Sequence, residues 1–126
     1  MDYSSYFKNK NIVITGHTGF KGSWLSQWLY MLGAKINAFS LDVPSNPAHY
    51  NELNIKYSSD ERINLINSDK VFEFITDKSP DYLFHLAAQP LVLESYKDQY
   101  NTYMYNTMGT LNILEALKRY NKNCVA

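Results

Sequence analysis

The stretch Thr15-Gly16-His17-Thr18-Gly19-Phe20-Lys21-Gly22 constrains the fold more than any other part of the chain. It follows a short β-branched run, Ile12 to Thr15, that reads as a buried strand, and it opens a helical pattern. Its glycines fall at i, i+3 and i+6. A strand, a glycine turn and a helix in succession form the context that a dinucleotide fingerprint requires. Gly16 permits a sharp exit from the strand. Gly19 lets backbone N–H groups approach a diphosphate with no Cβ in the way, and Gly22 lets the helix pack close to the sheet. Thr18, Phe20 and Lys21 fill the same turn and are candidate cofactor contacts beside the three glycines. The helix N-terminus adds unpaired donors and a dipole worth about 0.3–2 kcal/mol per phosphate charge. A glycine-rich turn without a ligand is the plainer alternative. A triphosphate-binding loop, G-x-x-x-x-G-K-[ST], is excluded, because Lys21-Gly22 reverses the required order.

The remaining pattern alternates strands and helices. Leu25, Trp28, Leu29 and Leu32 fall at i, i+3, i+4 and i+7 and predict one apolar helix face, with Gly33 as the stop. Ile36 to Leu41 predicts a second strand, and Asp42 to Pro47 a loop. A short helix and a loop are expected over Ala48 to Ser59, and a third strand near Arg62 to Leu65. Val71, Phe74 and Ile75 mark a helix over Asp69 to Asp77 that Ser79-Pro80 breaks. A fourth strand covers Asp81 to Ala87. The longest helix runs from about Asn101 to Tyr120, and Cys124 to Ala126 reads as the opening of a fifth strand. This order implies parallel pairing and right-handed crossovers: a doubly wound α/β sheet of order 3-2-1-4, with its ligand at the switch point between strands one and four.

Lys plus Arg and Asp plus Glu each number 12, so no whole-chain field is available to hold nucleic acid or an anionic membrane. Any anion must be held by a local device such as the glycine turn. Cys124 is the single cysteine, and no Cys/His cluster has metal-ligand spacing, so no metal site is expected. The most apolar segment, Trp24 to Leu32, is far short of the ~20 residues that span a bilayer, and the start of the chain lacks a secretory pattern. A cytoplasmic protein is the simplest expectation.

Asp42 closes the second strand, 20 positions after Gly22. A carboxylate there accepts hydrogen bonds from the adenosine ribose hydroxyls and repels a 2′-phosphate. Two unit charges at about 4 Å repel by roughly 1 kcal/mol in water and about 4 at an effective dielectric of 20. NAD is therefore expected over NADP. A solvated turn residue before Val43-Pro44 is the alternative for Asp42.

Thr15 to Leu25, TGHTGFKGSWL, and His85 to Val92, HLAAQPLV, closely resemble CDP-glucose 4,6-dehydratases of the extended short-chain dehydrogenase/reductase group, with Rossmann-like fold. Glu94-Ser95-Tyr96 and Asn106 to Thr110 continue the resemblance, which runs over nearly the whole chain. dTDP-glucose dehydratases and UDP-sugar epimerases are neighbouring families. The resemblance implies that Leu86, Ala87 and Ala88 line the ribose and nicotinamide side of NAD, with plain core packing as the alternative. It implies that Gln89 and Pro90 start the sugar-nucleotide pocket, although Gln89 could equally cap a turn. It places adenine contacts at Asn64 and Leu65, near the end of strand three, where the family usually has Asp in place of Asn64. Asn106 corresponds to an asparagine that supports the catalytic site, with a solvated helix asparagine as the alternative. His17 and His85 read as structural rather than catalytic.

Such dehydratases oxidise the sugar transiently, eliminate water and return the hydride, giving a 4-keto-6-deoxy sugar for deoxysugar and O-antigen biosynthesis. That chemistry needs a Ser/Thr, a Tyr-x-x-x-Lys pair and acid/base groups. The one such pair here, Tyr6 to Lys10, precedes the first strand and reads as chance. No catalytic residue is therefore expected within these 126 residues, which read as an N-terminal NAD-binding portion ending as strand five begins. A homodimer is expected of the full-length family member. A non-catalytic NAD-binding module, an epimerase or reductase, and a Rossmann-like protein with an empty site are the competing readings.

Overall fold

The computed structural model describes residues 3–126. A short helix α1 (Ser4–Phe7) leads into β1 (Asn11–Thr15), α2 (Phe20–Met31) and β2 (Lys35–Ser40). Then come α3 (His49–Glu52), β3 (Ser59–Arg62), α4 (Ser68–Lys78) and β4 (Tyr82–His85). The chain continues through α5 (Val92–Lys97) and α6 (Gln99–Tyr103), a π-helical segment (Met104–Met108), and α7 (Gly109–Tyr120). The sheet is parallel in the order β3-β2-β1-β4, as the alternation of elements predicts. Val125 forms an isolated parallel bridge to Tyr82 and exchanges backbone hydrogen bonds with the β4 edge, at the position where a fifth strand is expected.

β1 is buried along almost its whole length, because helices cover both faces of the sheet. Val13 and Phe39 point to one core with Val71, Phe74 and Ile75 of α4 and Ile113, Ala116 and Tyr120 of α7. Ile12, Ile14, Ile36 and Ala38 point to the other, with Leu29 of α2. The α4 boundaries have local causes. The Asn67 side chain accepts from the Lys70 N–H at the start, and Ser79 takes a left-handed conformation at the end, before Pro80.

Four expectations are corrected. The third strand is Ser59–Arg62, three residues earlier than predicted. It is an edge strand of polar residues paired only to β2, so no apolar run marks it, and the apolar Ile63 and Leu65 beyond it drop into the core instead. The buried face of α2 is Gly22, Ser23, Ser26 and Leu29; of the predicted stripe Leu29 is fully buried and Leu25 packs partly buried on the core, but Trp28 faces out. Small residues bring this helix close to the sheet, while Trp28 stays 46% exposed and packs on Tyr3 and Phe7. The single long helix expected over 101–120 is divided by the π-helical segment, and β4 ends at His85, leaving 86–91 as a loop.

Candidate cofactor-binding site

The glycine turn is fixed at the C-terminal end of the sheet. Gly16 adopts φ +75°, and its N–H donates to the Phe39 carbonyl at 2.9 Å. The Gly19 N–H closes the turn on the Gly16 carbonyl at 3.1 Å. A Cβ on Gly16 would stand 2.6 Å from the Ala87 nitrogen, and one on Gly22 would stand 2.1 Å from the Gly16 carbonyl oxygen. Both glycines are therefore required by backbone packing. Gly19 differs. A Cβ there would meet only the Gly16 carbonyl oxygen, at 3.4 Å.

Gly19 is also the extended N-cap residue of α2, and no side chain caps this helix. The first-turn N–H groups of Phe20, Lys21 and Gly22 thus lack a side-chain acceptor from the chain itself. Phe20 and Lys21 are exposed beside them. An uncapped helix start behind a turn with room at Gly19 suits a diphosphate. Thr18 enters this site indirectly. It is buried, and its hydroxyl donates to the Asp42 carbonyl at 2.5 Å while its N–H donates to Ser40 Oγ at 3.3 Å. The side chain expected as a cofactor contact instead ties the glycine turn to the segment after β2 and holds Asp42, whose residue is exposed, beside it.

His17 lies behind the turn and is fully buried. Its Nδ1 is 2.9 Å from Ser40 Oγ and its Nε2 2.9 Å from Asp60 Oδ1. Asp60 also accepts from Arg62, at 2.6 Å, and from the Tyr50 hydroxyl. Burial pushes the His17 pKa below its ordinary value, and the attraction of Asp60 offsets this only in part. Burial opposes ionisation of Asp60, but the Tyr50 and Arg62 hydrogen bonds outweigh it and hold the carboxyl below its usual range. Tyr57, edge-on to His17, is pushed up to about 12 by burial. This network clamps the turn to β3 and α3.

At the switch point, Thr15 and His85 are neighbours in register. Thr15 Oγ1 lies 2.7 Å from His85 Nδ1 and accepts from the Leu86 and Ala87 N–H groups at 3.2 Å each. His85 Nε2 lies 3.0 Å from Thr110 Oγ1, whose hydroxyl donates to the Asn106 carbonyl at 2.7 Å. The Asn106 side chain then grips the loop after β4. Its Oδ1 accepts from the Gln89 N–H at 2.7 Å, and its Nδ2 donates to the Gln89 carbonyl at 3.0 Å. The Gln89 side chain caps its own turn: Oε1 accepts from the Leu91 N–H at 2.6 Å, and Nε2 donates to Thr102 Oγ1 at 3.0 Å. Ala88 and Pro90 are exposed beside it.

Two expected adenine contacts fare differently. Asn64 follows β3, and its Oδ1 accepts from the Ile66 N–H at 3.0 Å. Leu65 is brought elsewhere: its side chain is buried in the core against Gly109, and its carbonyl accepts from Asn112 at 2.8 Å. Apolar character near a strand end does not separate a core residue from a ligand contact. The Thr15–His85–Thr110 linkage was not foreseen. Aligning the last residues of the two strands at the switch point would have placed Thr15 beside His85. Among the described residues no group of three or more His, Cys, Asp or Glu side chains is arranged to hold a metal ion.

The sequence profile of the NAD dependent epimerase/dehydratase family matches residues 12–125. The chain belongs to this family. The epimerase/dehydratase chain is 39% identical to the CDP-glucose 4,6-dehydratase of Salmonella typhimurium, over 91% of its own length and 32% of that enzyme. The structure of an epimerase from Methanothermobacter thermautotrophicus superposes with a TM-score of 0.80 at 26% identity, covering 96% of this chain and 35% of that one. A UDP-glucose 4-epimerase of Thermus thermophilus, solved in complex with NAD, superposes with a TM-score of 0.77 at 25% identity, covering 86% of this chain and 34% of that one. This epimerase/dehydratase chain thus spans about a third of the length of the relatives it matches. No helix among its described residues is long and apolar enough to cross a membrane.

Proposed function

We propose that the chain is the NAD-binding part of a nucleotide-sugar 4,6-dehydratase acting on CDP-glucose. The observation that carries this reading is the uncapped start of α2 behind an open Gly19, with Asp42 anchored beside it by Thr18. In this reading the amides of the Gly16–Gly22 turn hold the diphosphate, and the Asp42 carboxylate takes the ribose hydroxyls and disfavours a 2′-phosphate. Asn64 meets the adenine edge, and the Leu86–Ala88 backbone borders the nicotinamide side. Asn106 shapes that border by holding Gln89, and Gln89 with Pro90 adjoins the sugar nucleotide. NAD supplies a hydride acceptor when bound.

The likeness to the Salmonella dehydratase supports the substrate class. A sugar-nucleotide epimerase of the same family is the second reading, supported by the likeness to epimerase structures. The sole Tyr-x-x-x-Lys sequence serves neither. Tyr6 is 60% exposed on α1, and Lys10 pairs with Asp81 at the opposite end of the sheet, where β1 begins.

Isothermal titration tests the cofactor assignment. NAD is expected to release heat and raise the melting temperature, since a ligand bound to the native state stabilises by mass action. NADP is expected to bind at least roughly tenfold more weakly, and Asp42→Ala to narrow that gap. Equal affinity for the two would overturn the Asp42 role. With CDP-glucose and NAD, this chain alone is expected to form no 4-keto sugar, read by the absorbance such a sugar develops in alkali.

A further inference from the structure

The hydrogens around His85 admit one arrangement. Thr15 is fully buried, and its hydroxyl oxygen already accepts the Ala87 N–H and shares the Leu86 N–H, which also donates to the Thr15 carbonyl at 3.1 Å. If His85 Nδ1 also carried a proton, three donors would converge on that oxygen and the hydroxyl's own hydrogen would be stranded without an acceptor. The hydroxyl must therefore donate to Nδ1 across the 2.7 Å contact. That leaves the imidazole proton on Nε2, which donates to Thr110 Oγ1 at 3.0 Å. Thr110 passes its own hydrogen to the Asn106 carbonyl at 2.7 Å. All three donors point the same way, from β1 through β4 to the π-helical segment, so each bond polarises the next.

This chain of bonds ends where it matters. Thr15 holds residues 86 and 87 from one side, and Asn106 holds Gln89 from the other. Between them lies the backbone against which Gly16 is packed. Among the described residues, His85 connects the two grips, bonding Thr15 itself and reaching Asn106 through Thr110.

We infer that His85 is a positioning residue: as a neutral imidazole with its proton on Nε2 it locks the 86–89 loop between β1 and the π-helical segment, and its protonation releases that loop and weakens cofactor binding. The cofactor half of this statement rests on the NAD reading above; the tautomer and the loop lock do not. The groups packed on the ring are the Thr15 hydroxyl from β1, the Thr110 hydroxyl from α7 and the Leu86–Ala87 backbone, none of them charged. Burial alone perturbs the ring, and it lowers the pKa. The neutral form therefore prevails at and above the ordinary histidine value of 6.5, and the lock opens as pH falls below it.

Two readouts test this on the whole chain. Long-range proton–nitrogen NMR correlations should show His85 as the Nε2–H tautomer at pH 7.5. The amide signals of Leu86, Ala87 and Gln89 should shift together as His85 titrates. His85→Gln offers an acceptor oxygen and a donor nitrogen at similar spacing but does not titrate. It should keep NAD affinity at pH 7.5 within about threefold and remove the acid limb, whereas the wild type should lose roughly tenfold by full protonation, the scale of one to two net hydrogen bonds. Thr110→Val, which removes the Nε2 partner together with the bond to the Asn106 carbonyl, should weaken NAD binding at every pH and free the tautomer. A Nδ1–H tautomer, or loop amides indifferent to the His85 titration, would overturn the proposal. Those NMR outcomes decide it even if NAD fails to bind, a result that would sink the cofactor reading alone.

Discussion

Gly19 and Gly22 belong to one motif but answer to different forces. A methyl group on Gly22 would meet the Gly16 oxygen at 2.1 Å and the His17 Cα at 2.7 Å, both backbone atoms that a side-chain rotation cannot clear. Gly22→Ala is expected to cost about 1–3 kcal/mol or more through forced separation of α2 from the turn. Gly19→Ala meets one atom at ordinary contact distance and keeps a negative φ, so its stability should stay within about 0.5 kcal/mol of wild type. Its Cβ would instead occupy the space over the helix start, and NAD affinity should fall by roughly tenfold or more. Denaturant melts with parallel NAD titrations of the two variants separate these effects. Loss of stability in both would mean that Gly19 has only a folding role. The sequence alone assigned the sharp exit at Gly16 and the close packing at Gly22, because turn chemistry is local. It could not show that the Thr18 hydroxyl is spent on Asp42 or that the Leu65 side chain enters the core, because both depend on how distant segments meet.

At the level of elements, patterning predicted the four strands, the principal helices and the order 3-2-1-4, because alternation and parallel crossovers leave few topologies, but it missed the short helices α1 and α5. It erred where packing rather than hydrophobicity sets the burial. In α2 the exposed stripe carries Phe20, Trp24, Trp28 and Met31, and the buried face carries a glycine and two serines beside Leu29. Ser26 satisfies its buried hydroxyl on the Gly22 carbonyl at 2.8 Å, which removes the penalty of a polar group in the core. The contrast is testable. Leu29→Ala is expected to cost about 2–5 kcal/mol, because its side chain is fully buried against the sheet. Met31→Gln, two residues on and 74% exposed, should change stability by less than about 0.5 kcal/mol. Comparable losses at both positions would refute the assigned face. The π-helical segment has no periodic signature, since one inserted residue in a helix leaves the apolar spacing of α7 intact. Yet it contains Asn106, whose side chain grips the loop after β4.

Across the whole molecule, one buried and one half-buried imidazole make stability depend on pH in one direction. His17 and His85 both have folded-state pKa values pushed below 6.5 by burial. The unfolded chain therefore binds more protons than the native one just below that value, and stability falls as pH drops. Asp60 does not reverse this at His17, because its charge is already engaged by Arg62 at 2.6 Å and by the Tyr50 hydroxyl. Asp60 itself is held below its ordinary 3.8, so its contribution persists above that value and disappears only as pH falls through its folded value. Acid unfolding should thus come in two stages. Stability should be level from about pH 8 to 7, then decline below 6.5 with a slope of up to about 1.4 kcal/mol per pH unit for each histidine, and decline again below the carboxylate range. Equilibrium urea melts at half-unit pH intervals measure both stages. His85→Gln should reduce the first slope toward one proton without altering the second. Asp60→Asn should remove part of the second, and it should steepen the first by taking from His17 the one anion that favours its charged form in the native state. Stability that rises on acidification from pH 7 to 5 would mean that these imidazoles gain partners on protonation, and the neutral, hydrogen-bonded roles assigned to both would be wrong.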